Sequence, residues 1–398
     1  MLKEKTIAAT LSFPSWPHFA ADEIAQVSAV LASGKVNYWT GQECKLFEAE
    51  YAKSIGTHYA IALMNGTVAL EAALAALDIG PGDEVITTSC TFIASASCVV
   101  RCGAKPVFAD IDASSNNINA TTIKKVLSKR TKAIIVVHLG GMPCDMEAIA
   151  ALAKQNNLFV IEDCAQAHGA QYKNRCVGAW SDVAAFSFCQ DKIITTGGEG
   201  GMITTNNKDI WEKIWSLKEH GKSYEAAFNR AHPPGFRWLH ESFGTNLRMT
   251  ETQAAIGRIQ LKKLPTWTKL RQRNAGILTQ CFKTIPAFRV LEPPSNYQHA
   301  YYRYYVFVKP EKLKTDWNRD RILQAINAEG IPCFVGSCGE IYLEKSFANN
   351  GLAPAERLPM AKAFSETSLV FLVHPTLTEA HMLQIAQTVE KVMNAAIN

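Results

Sequence analysis

The sequence predicts an α/β protein: a large domain on a mainly parallel, seven-stranded sheet flanked by helices, followed by a smaller C-terminal α/β domain. Two observations support this fold class. Short apolar runs alternate with helical periodicity between about residues 45 and 205, and long helical patterns take over after Thr250. Buried strands separated by helices are typical of parallel sheets that are covered on both faces.

Each strand-like run is rich in small and β-branched apolar residues and ends at polar residues or glycine, as buried strands do. Helical spacing separates the runs, for example at Leu70, Ala73, Leu74 and Leu77. The predicted strands are HYAIALM (58–64), DEVITTS (83–89), KPVFADID (105–112), KAIIVVHL (132–139), LFVIEDCA (158–165), DVAAFSFC (182–189) and GGMITT (200–205).

The second part of the chain has a different organisation. A long helical pattern begins at Glu251, and a strand (301–308), a helix (317–329) and a terminal helix from Glu379 follow. We therefore predict a large domain over residues 1–265, with segment 1–40 packing near the small domain or the active site. The small domain is predicted over residues 266–398.

Composition narrows the class of protein. The chain has 398 residues, of which 47% are hydrophobic and 19% charged, with a net charge of +5, which is typical of a soluble globular protein. The densest basic run, 262–273, is interleaved with Leu and Trp and predicts a solvated helix face, not a nucleic-acid surface. No apolar stretch approaches the length of a membrane span, and the first residues do not resemble a signal peptide. We expect a cytoplasmic protein with no nucleic-acid or membrane partner.

The eleven cysteines are scattered along the chain. They form no C-x-x-C pair, and no Cys/His spacing matches a zinc site. Most lie in apolar runs, where a reduced cysteine behaves as a small hydrophobic residue. This pattern predicts a reducing compartment and no metal site.

The first motif with chemical content is MNGTVAL (64–70). Asn65, Gly66 and Thr67 stand between a predicted strand and a predicted helix. Free backbone N–H groups and a hydroxyl at a helix N-terminus suit a phosphate. The same three residues also form ordinary turns and helix caps, so the motif alone leaves both interpretations open.

Two acids end the apolar strand of VIEDCAQAHG (160–169), with Asp163 at its tip. Ligands of parallel sheets bind beyond the carboxyl ends of strands, so Asp163 is expected to face a crevice. A buried carboxylate needs a positive partner, which a protonated pyridine nitrogen would supply. A cap on the next helix is the alternative.

A lysine follows another apolar strand in FSFCQDKIITTGGEGG (186–201). Lys192 in a partly desolvated site would be a usable amine nucleophile, and Ser187 would add a hydroxyl to a phosphate site. A surface lysine before a glycine-rich turn is the alternative. The segment contains neither a P-loop nor a dinucleotide-binding glycine pattern.

The three features occur in order on successive strands. Together they meet the demands of pyridoxal phosphate: an anchor for the phosphate, an acid for the ring nitrogen and a lysine for the aldehyde.

The sequence also resembles the DegT/StrS-type sugar aminotransferases, which have the aspartate aminotransferase fold (fold type I). The resemblance covers nearly the whole chain. It is carried by GQECKLFEAEYAKSIG, NGTVAL, GPGDEVITTSCTFIASA, GAKPVFADID, VIEDCAQAHGA, FSFCQDK, TTGGEGG, FGTNLRMTETQAAIGRIQL and HAYYRYYV.

The resemblance implies a function: transfer of an amino group from L-glutamate to a nucleotide-linked keto-deoxy sugar. Lys192 would bind the cofactor as an imine and carry protons, and Asp163 would pair with the ring nitrogen. The other implied cofactor-binding residues are Gly66, Thr67 and Ser187 at the phosphate, Phe92 on the ring face, Gln166 near the ring hydroxyl, and Asn246.

Asn246 is implied to reach the phosphate of a neighbouring subunit, supported by Arg248, so the resemblance implies a homodimer with shared active sites. Two positions depart from the family pattern. Cys189 stands where many members have His, and the segment 334–347 differs where many members meet the sugar. These departures leave the sugar open. A PLP-fold regulator, a different keto sugar and dehydration are the alternatives, although Lys192 argues against dehydration.

Overall fold

The computed structural model describes residues 12–232, 235 and 237–397. Its strands lie in three sheets: one of seven strands, one of four and one of three. In chain order the strands are β1 (Tyr59–Leu63), β2 (Glu84–Thr88), β3 (Lys105–Ala109), β4 (Thr131–Val137), β5 (Phe159–Asp163), β6 (Gln171–Tyr172), β7 (Arg175–Cys176), β8 (Val183–Ser187), β9 (Gly201–Thr205), β10 (Phe288–Val290), β11 (Tyr297–Gln298), β12 (Tyr304–Val308), β13 (Cys333–Phe334) and β14 (Ser368–Phe371).

The helices cover the sheets and connect their strands. They are α1 (Ala21–Ser33), α2 (Glu43–Ile55), α3 (Gly66–Ala76), α4 (Ala94–Arg101), α5 (Ala120–Lys124), α6 (Met146–Gln155), α7 (Lys208–Lys218), α8 (Tyr224–Phe228), α9 (Glu251–Phe282), α10 (Arg319–Ala328), α11 (Lys345–Ala348), α12 (Pro359–Thr367) and α13 (Glu379–Ala396). Short 3₁₀ turns occur at Leu139–Gly141, Pro310–Lys312 and Ile341–Leu343. In the part of the chain described here, no helix is long and apolar enough to cross a membrane.

The seven-stranded sheet has the order β1-β9-β8-β5-β4-β2-β3. Its β2, β3, β4, β5 and β8 pair in parallel, and β9 runs antiparallel to both of its neighbours, β1 and β8. The central strands are buried along their length because helices cover both faces. The mainly parallel seven-stranded sheet predicted from the sequence is confirmed.

The four-stranded sheet is antiparallel, in the order β10-β12-β14-β13. A second hydrophobic core lies between it and the helices α9, α10 and α13. The helix α9 runs without interruption through Pro265, so the boundary predicted at residue 265 falls inside a helix that joins the two sheet layers. The division into two domains stays a prediction.

The described part of the N-terminal segment lies close to the loop that carries Lys192. The indole N–H of Trp16 donates to the backbone carbonyl of Lys192 at 2.8 Å. The same ring packs against Trp267 of α9 and His374, which follows β14. Residues 1–11 of the segment lie outside the described residues.

Candidate active site

A cavity of about 1010 Å³ opens where β5 and β8 end and α3 begins. The four-stranded sheet and the loop after β13 close its other side, with Tyr305 of β12 and the segment 334–337. The cavity brings together seven of the eight side chains or backbone groups that the sequence singled out. They are Gly66, Thr67, Phe92, Asp163, Gln166, Ser187 and Lys192. Asn246 is not among the residues that line it.

The start of α3 provides an anion cradle. The side chain of Asn65 caps the helix by accepting the amide N–H of Val68 at 3.0 Å. The amides of Gly66 and Thr67 donate no hydrogen bond to any described residue. A Cβ at Gly66 would lie 2.7 Å from Cβ of Ser187, so only glycine allows this close approach of helix and strand. Two free amides and the Ser187 hydroxyl at a helix N-terminus fit a phosphate group.

Asp163 is a buried carboxylate with few partners. It accepts the Ser95 hydroxyl at 2.7 Å and the amide of Ala165 at 3.1 Å. Burial raises the pKa of this carboxyl above its usual value, and the two hydrogen bonds and the positive charge of Lys192 only partly oppose it. A further positive group in the cavity would offset the unfavourable free energy of burying this ionised carboxylate. The residue therefore fits the protonated ring nitrogen of pyridoxal phosphate.

Lys192 projects into the cavity with 15% of its side chain exposed. Its Nζ lies 3.9 Å from Oδ1 of Asp191 and 4.9 Å from the centre of the Tyr302 ring. The loop around it is held by Trp16 and by the amide of Thr195, which donates to Gln260 at 2.9 Å. The amine thus stands on a fixed loop within a largely desolvated space, as an amine nucleophile requires.

Phe92 and Gln166 occupy two other parts of the cavity wall. Phe92 is 66% exposed although it is a large apolar side chain, so its ring is available to cover a planar ligand. Gln166 accepts the amide of Gly140 at 2.7 Å and donates to the hydroxyl of Ser337 at 3.4 Å. The Ser337 amide in turn donates to the Tyr305 hydroxyl at 3.0 Å. This network fixes the segment that departs from the family pattern against the cavity.

Asn246 lies outside the cavity of its own chain. Its side-chain oxygen accepts both the amide and the guanidinium of Arg248, and Nε of Arg248 donates to Glu219 at 2.7 Å. A β-bridge joins Arg248 to Leu63 at the end of β1. These contacts hold Asn246 next to the strand that leads into the phosphate cradle, and its role toward a neighbouring subunit stays a prediction.

Three contributors to the cavity were not singled out from the sequence. Ser95, which binds Asp163, lies 68 residues away from it. Asp191 and Arg303 form an ion pair of 3.0 Å across 112 residues. Sequence signals existed for two of them: Asp191 adjoins the lysine, and Arg303 is the basic residue inside the aromatic run 301–308. Ser95 carries no local signal.

The cluster His138, Glu162 and Cys164 has ligand atoms within 4.8 Å of one another. However, Glu162 accepts hydrogen bonds from His138, Gly178, Trp180 and Ser181. His138 uses its other ring nitrogen to accept the amide of Cys144. These bonds account for both polar side chains, so the cluster is a structural network on the opposite side of β5 from the cavity.

Comparison with known proteins agrees with this geometry. The chain matches the DegT/DnrJ/EryC1/StrS aminotransferase family over residues 17–390. It is 35% identical to the spore coat polysaccharide biosynthesis protein SpsC of Bacillus subtilis, over 96% of this chain and 97% of that one. It is 38% identical to GDP-perosamine synthase of Caulobacter vibrioides, covering 87% and 89%. The X-ray structure of the aminotransferase from Psychrobacter cryohalolentis is 54% identical, with a TM-score of 0.95 and coverage of 96% and 99%.

Proposed function

Because this chain belongs to the DegT/DnrJ/EryC1/StrS aminotransferase family, we propose that it transfers an amino group from L-glutamate to a nucleotide-linked keto-deoxy sugar. The enzyme is an aminotransferase with pyridoxal phosphate as its cofactor. The observation that carries the proposal is the grouping of Asp163, Lys192 and the free amides of α3 in one cavity. Relatives named for polysaccharide biosynthesis and for a GDP-linked sugar support amino-sugar biosynthesis as the context.

Each part of the proposed site has a physical task. Pyridoxal phosphate, when bound, supplies an aldehyde that captures amines and a ring that accepts electrons. The amides of Gly66 and Thr67 and the Ser187 hydroxyl would hold the phosphate. Asp163 would keep the ring nitrogen protonated, which strengthens electron withdrawal. Phe92 would cover one face of the ring.

Lys192 has the catalytic task. With the cofactor bound, its Nζ would hold the aldehyde and would serve as the base and acid that moves a proton during transfer of the amino group. Gln166 lines the same cavity as Asp163 and would contact the hydroxyl side of the ring. Its bond to Ser337 links that contact to the opposite wall of the cavity.

The size of the cavity supports a large second substrate. At about 1010 Å³ it stands at the upper end of small-molecule sites. The part beyond the cofactor residues is lined by Leu323, Phe334, Val335 and Tyr305. Apolar and aromatic walls of this kind suit the faces of a deoxy sugar and a nucleotide base. A cytoplasmic location belongs to the proposal and is supported by eleven free thiols, which suit a reducing compartment.

The test is a panel of UDP-, GDP- and dTDP-linked keto sugars with L-glutamate as donor. We expect one nucleotide sugar to yield equal amounts of aminated sugar and 2-oxoglutarate, and Lys192→Ala to yield neither. Water loss without amine gain would instead establish dehydration. An absorbance spectrum that glutamate leaves unchanged would favour the non-catalytic alternative.

We further propose a homodimer in which Asn246 of one subunit completes the partner's site and Arg248 supports the loop that carries it. Trp238 is 83% exposed and Phe243 is fully exposed on the segment that precedes Asn246. Large apolar side chains grouped on one surface segment are typical of a protein interface. Burial of this segment against a second copy would bring its polar end, at Asn246, to the neighbouring cavity.

Mixed dimers test the shared site. Lys192→Ala and Asn246→Ala subunits, each impaired alone, should form heterodimers with one intact site and one doubly damaged site. Activity should then recover toward one site per dimer. Absence of recovery in heterodimers that are shown to form would place the whole site within one chain.

A further inference from the structure

An ion pair at the wall of the cavity has no part in the functions assigned above. The guanidinium of Arg303 donates to Oδ2 of Asp191 at 3.0 Å, and the Tyr302 hydroxyl donates to the same oxygen. The other oxygen of Asp191 lies 3.9 Å from Nζ of Lys192. The carboxylate therefore stands between the catalytic amine and the arginine.

Arg303 is available to a ligand. Together with Lys192 it supplies the cationic side chains that line the cavity in the described part of the chain. Its side chain is 22% exposed, and only one of its terminal nitrogens donates a hydrogen bond to a described residue. A guanidinium has five N–H donors in a planar fork. The donors of Arg303 that are unused can bind a second carboxylate, and the donor that now binds Asp191 can release it in favour of a ligand carboxylate.

We propose that Arg303 binds the carboxylate of the amino donor and that Asp191 is its counter-ion when no donor is bound. This inference rests on the proposed transamination. A donor amino acid must bring its nitrogen to the position of Nζ of Lys192, and its carboxylate is attached one carbon away. The carboxylate of Asp191 lies between Nζ of Lys192 and Arg303. On binding, the carboxylate of the amino donor would therefore take the place of the Asp191 carboxylate at Arg303.

The exchange explains how one cavity accepts two unlike substrates in turn. With the donor bound, Arg303 is paired with the donor, and Asp191 keeps the Tyr302 hydroxyl. With a keto sugar that has no carboxylate, Arg303 returns to Asp191. Neither state leaves a partly buried guanidinium unpaired, which would be costly.

Tyr302 organises the exchange. Its ring centre lies 4.6 Å from the Arg303 guanidinium carbon and 4.9 Å from Nζ of Lys192. A ring that attracts both cations holds them near each other despite their like charge. Arg303 thus stays beside the reacting amine whichever carboxylate it binds.

The first experiment measures carboxylate binding without turnover. Glutarate, which has the carbon skeleton of glutamate without the amino group, is titrated into the cofactor-loaded enzyme by calorimetry. We expect Arg303→Gln to bind glutarate at least about tenfold more weakly, as loss of a charged hydrogen bond predicts, and Arg303→Lys to restore part of the affinity. Arg321→Gln is the matched control, since Arg321 also pairs with an aspartate and lies over an aromatic ring. Arg321 does not line the cavity, and we expect no change.

Asp191→Asn provides the opposite test. If the donor displaces Asp191 from Arg303, removing the Asp191 carboxylate removes a competitor, so Asp191→Asn should bind glutarate more tightly than the parent. In the double variant with Arg303→Gln, Asp191→Asn should not tighten glutarate binding. Nucleoside diphosphates should bind all variants equally. Unchanged glutarate affinity in Arg303→Gln, weaker binding in Asp191→Asn, or a loss confined to nucleoside diphosphates would each overturn the proposal.

A glutamate half-reaction separates this inference from the proposed function. The absorbance change on adding glutamate alone gives a rate and an apparent KM without any sugar. A parent enzyme that does not respond to glutamate contradicts the proposed donor. A parent that responds, with the same KM in Arg303→Gln, contradicts only the role of Arg303.

Discussion

Two neighbouring acids at the end of β5 have opposite environments. Glu162 and Asp163 are both buried, and their side chains point to opposite faces of the sheet. Glu162 accepts hydrogen bonds from His138, from the Ser181 hydroxyl and from three backbone amides. Asp163 accepts one hydroxyl and one amide and faces the cavity.

The pKa values differ in the same way. Burial acts to raise the pKa of Glu162, but the bonds from His138, Gly178 and Ser181 outweigh it, so the pKa lies below its usual value. In Asp163 burial prevails and the pKa lies above its usual value. A buried carboxylate with a full set of donors belongs to the structure, whereas one whose charge is incompletely compensated is a candidate for ligand binding.

The largest effect on the cavity side is expected from Lys192→Ala. The transamination rate should fall by about 10⁴-fold or more, because the amine that carries the proton is lost. Non-covalent cofactor binding should remain, since the phosphate cradle is intact. Loss of the absorbance band of the lysine-bound cofactor, together with steady-state rates, checks this. Full activity in the variant would sink the assignment of Lys192.

Asp163→Asn should lower the rate by about 10²–10³-fold, with a modest loss of cofactor. A neutral amide keeps the shape of the side chain but cannot hold a ring nitrogen protonated. Stopped-flow half-reactions with glutamate measure the step directly. A rate close to that of the parent would mean that Asp163 only caps the chain that follows β5.

Unlike the two variants on the cavity side, Glu162→Gln should change the free energy of unfolding more than the transamination rate. Loss of the charged acceptor should lower the free energy of unfolding by on the order of 3 kcal/mol at neutral pH. Because the folded-state pKa of Glu162 is depressed, this contribution is present above about pH 4.3 and is lost as the pH falls through the folded-state pKa. The difference between parent and variant in urea midpoint should therefore shrink on acidification. A larger effect on catalysis than on stability would break the comparison.

Gly66→Ala should have the smallest effect of the four. The added methyl group would press on Ser187 and shift the phosphate cradle, so we expect cofactor affinity to fall by about tenfold. Fluorescence titration of the cofactor measures it. Gly276→Ala, where a Cβ meets no atom within 4 Å, is the matched control.

Periodicity and residue type were sufficient for the main sheet. Six of the seven predicted runs contain the observed strand and the seventh misses only the first residue of β4, Thr131, because continuous burial leaves a continuous apolar run. Lys192, Asp163 and the Asn65–Thr67 turn could be found because each lies at the end of such a run or within a few residues after it. Strand ends meet at one edge of a parallel sheet, so their proximity follows from local pattern plus fold class.

Other members of the cavity wall could not be found in this way. Ser95 reaches the cavity from a helix, Arg303 from the residue before β12 and Ser337 from a loop, and their contacts join residues 68 to 171 positions apart. The distinction between Glu162 and Asp163 also depends on distant donors, among them His138 and Ser181.

The sequence by itself determined the α/β class, the seven-stranded sheet and the residues that end its strands, because these follow from local apolar patterns. Only the tertiary structure decided which of the two acids has a full set of hydrogen-bond donors, which arginine enters the cavity and where segment 334–337 lies. Those outcomes depend on how separate elements pack, and the energy of a buried charge is set by partners that local sequence does not specify.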